Sequence, residues 1–321
     1  MMFRTEIQLA ESKQKIQAKD RIFSIGSCFA TEIASIFALG ELQTLNNPFG
    51  TLFHPVAIHT ALKKIHQGKE YKEEDLIYYQ SKYMSLDHHS QFDDRYLHKS
   101  LERINSALNE TVEFLRDTRW VIITYGTSWV YEFTKHNKIV ANCHKIPQQY
   151  FRKRLLSHTE IIQALSESLA ILKDIASHPI QILFSISPVR HTKDGIVENQ
   201  RSKSRLINTI HEVVENYSFC EYLPIYEILM DDLRDYRFYK EDLIHPNSQA
   251  IQYIWEKFSH AYIEPETLAF INENLKINRA LSHRPFDPHS EETKLFNAKL
   301  QERISLQQCK VRHKIFKNQQ K

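Results

Sequence analysis

The chain has 321 residues, 42% of them hydrophobic and 25% charged, enough to bury one large core and too apolar for a disordered polymer. Lys and Arg number 42 against 39 Asp and Glu, a net charge of +3, so the overall balance argues against a nucleic-acid binder. Only 6 glycines are present, which gives weight to those that fall inside motifs.

Residues 1–20 read as a polar arm with early acids and no apolar core of the kind a secretory signal needs. Ile22, Phe23 and Ile25 predict a buried parallel strand that breaks at Gly26-Ser27 and passes into an apolar-periodic helix (Phe29, Ile33, Ile36, Phe37). Leu42 onward predicts a second strand, Asn46–Gly50 a turn at the sheet edge, and Pro55 the opening of a helix with Ile58, Leu62 and Ile65 on one face. Residues 71–97 mix aromatics, histidines and acids and read as a small hairpin or lid. A helix over 99–115 leads to a β-branched strand ending on Gly126, and residues 129–134 with 138–143 suggest an inserted hairpin. A helix over 159–176, a strand from Ile180 to Ser187, a helix over 203–217 and a short strand over 219–225 follow. The loop Glu241–Asn247 and a helix over 248–261 close a domain spanning 21–263. Residues 264–321 read as charged helices that lie on the core or pair with a second copy as a homodimer. Strand alternating with helix predicts a doubly wound α/β core of four or five parallel strands. No run approaches the roughly 18 apolar residues of a membrane span. The cysteines (Cys28, Cys143, Cys220, Cys309) lack C-x-x-C spacing, so a cytoplasmic protein without zinc ribbon or disulfides is the expectation.

Ser27 falls on the turn between a strand's carboxyl end and a helix N-terminus, where open α/β sheets keep their reactive groups. Unpaired helical N–H groups and the positive end of the helix dipole favour a developing oxyanion there. A serine in that position needs a base to become a nucleophile. Asp242-Leu-Ile-His245 can supply one: the carboxylate fixes one ring nitrogen, leaving the other free to take a proton. Alone, a D-x-x-H among 17 histidines is weak, and a surface histidine beside a helix start is the bland alternative.

Gly26-Ser-Cys-Phe-Ala30 is the signature that names the GSCFA family, a branch of the SGNH (GDSL-like) hydrolases, and the chain resembles that family. Asn47–Thr51, Gly126–Tyr131, Ala141–Lys145, Ser187–His191 and Asp242–Pro246 are similar to its other blocks, in the same order, over roughly 21–260. The resemblance implies a flavodoxin-like three-layer α/β/α SGNH-hydrolase fold, here with an inserted β-hairpin or lid and a C-terminal helical extension. It implies Ser27 as nucleophile, His245 as base and Asp242 as the orienting acid. It also implies an oxyanion hole made of the Ser27 and Gly50 N–H groups and an Asn side chain. The sequence departs at that third donor, because Ser128 stands where Asn is expected. Either the Ser128 hydroxyl substitutes or Asn142 reaches in from the inserted hairpin, and Asn142 is the favoured choice.

Arg190 and His191 follow a strand end at the rim of the site, where a guanidinium could hold a carboxylate or phosphate, or join a rim salt bridge. Tyr125, Trp129 and Tyr131 could stack on a sugar or acyl group or cover the core. Cys28 reads as a core residue, His88-His89 and His144 as solvated loop histidines, and Lys310–Lys317 as a solvated helix end. No metal or cofactor is expected. The expected function is a serine hydrolase or acyltransferase of a small ester, an acetyl or carbohydrate ester among them. The rivals are an inactive module that binds a glycan or peptide in the same crevice, and a cysteine hydrolase built on Cys28.

Overall fold

Strand β1 (Arg21–Gly26) alternates its side chains between two apolar layers, Phe23 and Ile25 to one side and Ile22 to the other. It is buried on both faces, as central strands of parallel sheets are. The structure, a computed structural model, describes residues 5–283 and 286–316. Helix α1 (Cys28–Leu39) follows, then β2 (Gln43–Asn46) and α2 (Pro55–Gln67). A hairpin of β3 (Ile77–Tyr79) and β4 (Lys82–Met84) precedes α3 (Leu97–Arg116) and β5 (Thr118–Tyr125). Between β5 and α4 (His158–Ile175) the chain forms β6 (Trp129–Phe133), β7 (Lys138–Val140) and β8 (Phe151–Leu155). The core resumes with β9 (Gln181–Ile186), α5 (Ile196–Asn216) and β10 (Cys220–Leu223). A single turn, α6 (Ile225–Glu227), and then α7 (Ser248–Tyr262), α8 (Pro265–Ser282) and α9 (Glu291–Gln308) complete the chain.

The central sheet has five strands in the order β10-β9-β5-β1-β2, all parallel. Counting core strands only, this is the 2-1-3-4-5 order of one doubly wound class, and the winding reverses between β1 and β5. One layer packs α2, α3, α4 and α5 on the sheet through Ile58, Leu62, Ile104, Leu108, Leu165 and Leu206. The other packs α1, α7, α8 and α9 through Phe29, Phe37, Trp255, Phe258, Ile271 and Leu300. The protein is therefore α/β, with a parallel sheet flanked by helices. Among the described residues no helix is long and apolar enough to cross a membrane.

Three features differ from expectation. The insert after β5 is a three-stranded antiparallel sheet with β6 in the middle, and β8 was hidden because Phe-Arg-Lys-Arg-Leu has little β-propensity. That strand pairs with β6 from Trp129↔Leu155 to Phe133↔Phe151, and Glu132 on β6 takes charge-assisted bonds from Arg152 (2.8 Å) and Arg154 (3.2 Å). Helix α5 starts at Ile196, earlier than 203, since its first turns expose Ile196 and Val197 and carry no apolar stripe. The basic run is not a solvated helix end: α9 stops at Gln308, Ile315 and Phe316 are buried, and the Phe316 N–H donates to Glu41 Oε2 at 3.0 Å. Lys317 lies outside the described residues.

Of the histidines expected in solvent, His88 and His144 are buried and His89 is half-buried. His88 is ringed by Phe49, Tyr71 and Phe92 and bonds Ser85 Oγ at 2.8 Å, while His144 Nε2 donates to the Ser85 carbonyl at 2.7 Å. His54 caps α2, with Nδ1 accepting from the Ala57 N–H at 3.1 Å. Burial pushes the pKa of His54 down to about 4 and that of His88 to about 3. Each ring takes up its proton in the unfolded chain near pH 6.5 but not in the fold until well below that. Stability present above that pH is therefore lost as pH falls toward 4. His54→Asn keeps a capping side chain and removes one titrating ring. Urea denaturation between about pH 6 and pH 4.5 is expected to show the slope of unfolding free energy against pH reduced by about 1.4 kcal/mol per pH unit, one proton's worth. An unchanged slope would mean that His54 is already charged in the fold.

Candidate active site

Gly26 has φ +144, and a β-carbon there would lie 2.1 Å from the Thr124 carbonyl oxygen, so only glycine lets β1 end so close to β5. Its N–H donates to Asn47 Oδ1 at 2.7 Å, and Asn47 Nδ2 donates in turn to Thr31 Oγ1 at 3.0 Å. Asn47 thus ties the end of β2 to the turn after β1 and to the first turn of α1. Ser27 occupies the N-cap of α1 with extended backbone, its N–H donating to the Thr124 carbonyl at 2.9 Å. Its side chain makes no capping bond; the residue is only 1% exposed and Oγ has no hydrogen-bond partner among the described residues.

Asp242 and His245 come together on the loop before α7. Asp242 Oδ1 accepts the N–H groups of Ile244 (2.9 Å) and His245 (3.0 Å), and Oδ2 lies 2.7 Å from His245 Nδ1. The backbone N–H groups first, and then the imidazole, hold the carboxyl pKa down at about 2. The Asp242 carboxylate fixes Nδ1 and leaves Nε2 without a partner among the described residues. Leu243, at φ +57, makes the tight bend that lets the carboxylate face its own backbone. The loop is anchored on both sides. Lys240 lies 3.7 Å from Glu32 on α1, and the Arg190 N–H after β9 donates to the Ile244 carbonyl at 3.3 Å. His245 therefore stands at the same edge of the sheet as Ser27, although no hydrogen bond joins them.

The other candidates divide. Gly50 has φ +76, as a tight turn needs, but its N–H donates to the Asn47 carbonyl at 2.8 Å. Ser128 is fully buried and its hydroxyl donates to the Ser202 carbonyl at 3.0 Å, which turns it toward α5 and away from a bound oxyanion. Asn142 Oδ1 accepts the His144 N–H at 2.9 Å in a local turn. Tyr125 is not a ligand contact: it is fully buried in the core, stacked on Phe184. Cys28 is exposed, not packed inward, and partial desolvation and Glu32 raise its thiol pKa, the wrong direction for a nucleophile. Asn142, Trp129, Arg190 and His191 line a cavity of about 700 Å³ between the carboxyl edge of the sheet and the β6–β8 insert. Arg190 lies over the Tyr239 ring at 4.2 Å, and Lys153 over Trp129 at 5.2 Å. A basin of about 1130 Å³ lies at the opposite edge, where the strands begin with Arg21, Gln43 and Thr118. Helix C-termini, which repel anions, point to that edge. Among the described residues no group of three or more His, Cys, Asp or Glu could hold a metal ion.

The GSCFA family model matches residues 21–258, from β1 into the last turns of α7. The chain belongs to the GSCFA family. No curated protein sequence matches it.

Sequence reasoning on this GSCFA protein missed two residues at the carboxyl edge. Asn47 entered the sequence reading only within the Asn46–Gly50 turn and the Asn47–Thr51 block, with no role of its own. Lys203 is 1% exposed, and its ammonium donates to the carbonyls of Gly126 (2.7 Å) and Ser187 (2.6 Å), joining the ends of β5 and β9. Burial pushes its pKa down to about 7. Its signal was present: Asn199, Ser202, Lys203 and Leu206 follow the three-four spacing of a buried face, where a lysine is out of character. Asn47→Ala is expected to lower stability by roughly 1–3 kcal/mol in urea denaturation, because the buried Gly26 N–H loses its acceptor. A loss below about 0.3 kcal/mol would show that the clamp carries no load.

Proposed function

We propose that this GSCFA-family protein is a serine hydrolase or acyltransferase of small esters, built on the flavodoxin-like core of SGNH hydrolases, with Ser27, His245 and Asp242 as its reacting groups. The observation that carries the reading is a buried serine hydroxyl without a partner on the edge where an aspartate-backed imidazole presents a free nitrogen. In the reaction His245 Nε2 takes the Ser27 proton as Oγ bonds the ester carbonyl carbon, and the carbonyl electron pair moves onto oxygen. Collapse of that intermediate expels the alcohol, which takes the proton from the imidazolium. Water or a sugar hydroxyl then attacks the acyl-enzyme with the same base. Asp242, ionised down to about pH 2, holds the proton on Nδ1 and stabilises the imidazolium. The cavity beside Trp129 and Arg190 has aromatic and cationic walls suited to a carbohydrate ester or an acyl group with an anionic end.

A fluorophosphonate is expected to label the protein covalently, and Ser27→Ala to abolish that labelling. Asp242→Asn is expected to lower kcat on 4-nitrophenyl acetate by about 10³–10⁴ through loss of the correct tautomer. A second reading, a silent module that binds a glycan or peptide in the crevice, is favoured by one observation: the Ser27 and Gly50 N–H groups are both bonded to backbone carbonyls. Folded protein that takes up no fluorophosphonate would select it.

A further inference from the structure

The serine-hydrolase reading requires donors for the oxyanion, and four backbone N–H groups at the crevice are already engaged. The Ser27 N–H goes to Thr124, that of Gly50 to Asn47, and those of Gly126 (2.7 Å) and Thr127 (3.1 Å) both to the Phe53 carbonyl. The Ser128 hydroxyl is engaged with Ser202. That directs attention to the side chains at the strand ends. His191 Nε2 is buried, has no partner, and lies against the strand end itself: a β-carbon on Gly126 would be 3.2 Å from it. The ring stands edge-on to Phe53 (centroids 5.9 Å apart, 83°), and the His191 N–H donates to Asn199 Oδ1 at 2.9 Å.

We infer that His191 Nε2–H is the side-chain donor to the oxyanion, filling the role left open by the serine at position 128. This rests on the serine-hydrolase reading. A histidine suits the role only if it stays neutral, because a protonated ring would not survive burial there. Burial first, then the nearby Lys203 and His245, hold its pKa down at about 4; Asp194 opposes them weakly and Lys153 adds to them. At neutral pH the ring is an uncharged donor, the state in which imidazole can polarise an oxygen without giving up its proton. An N–H kept buried and unbonded costs about 1–3 kcal/mol, which a bound oxygen would recover. Asn142 is the competitor, but its amide oxygen is held in a turn on the insert, off the strand ends.

The second-order rate of fluorophosphonate labelling reads this donor without knowledge of the natural ester. In that step the Ser27 Oγ–P bond forms, the P–F bond breaks, fluoride leaves, and the hydroxyl proton goes to His245. Negative charge gathers on the phosphonyl oxygen. His191→Phe fills the same space without an N–H and is expected to slow labelling by about 10²–10³, with His191→Gln, which keeps an N–H, recovering at least about tenfold. Asn142→Ala is expected to slow labelling clearly less than His191→Phe does. Thermal melts identify any variant that fails to fold, and His191→Ala replaces the phenylalanine in that case. Ser27-dependent labelling that His191→Phe and His191→Ala leave within threefold overturns the inference while the hydrolase reading stands. A large drop in Asn142→Ala with none at His191 overturns it in favour of the amide. Wild-type protein that does not label at all removes both.

Discussion

The approach of β1 to β5 at Gly26 and Thr124 determines everything at the carboxyl edge. A side chain on residue 26 would collide with a main-chain carbonyl, which cannot swing aside as a flexible side chain could. With glycine there, the chain turns abruptly, Ser27 caps α1 on the next residue, and its hydroxyl is delivered to the reversal of winding between the two strands. Asn47 holds the arrangement from the β2 side, and Lys203 does the same for the ends of β5 and β9. The two polar clamps lie on either side of the serine turn, and each is made of direct bonds to main-chain groups.

The same edge gathers groups whose charge states are set by opposite means. Asp242 is kept ionised by N–H groups of its own loop and by the imidazole, in contact with solvent. His191 is kept neutral by burial and by the positive groups near it. An acid held charged and an imidazole held uncharged, near a second imidazole with a free nitrogen, is the kind of division of roles that acid–base chemistry at neutral pH requires.

The sheet was legible because its strands carry dense β-branched and aromatic runs that end on glycine, serine or proline, and because the helices between them keep a clean apolar stripe. The motif around Ser27 and the Asp242–His245 pair could be read locally, since each is decided within a few residues. Relations between distant segments were not legible. Nothing in Ser128 foretells that it faces Ser202, 74 positions away. The burial of His88 and His144 depends on Phe49, Tyr71, Phe92 and Ser85 assembling from separate segments. The pairing of Arg152 and Arg154 with Glu132 across the β6–β8 ladder is likewise visible only once the strands lie side by side.

Serine at the head of a helix ordinarily strengthens it by accepting an N–H from the first turn, worth about 1 kcal/mol. Ser27 forgoes that bond, and its hydroxyl is buried without a hydrogen-bond partner among the described residues. For the folded chain the oxygen is a liability: trimming it to a methyl would relieve an unsatisfied group and leave a protein no easier to unfold. If the proposed hydrolase chemistry holds, robustness and reactivity are opposed at a single atom, and the chain has kept the less stable choice.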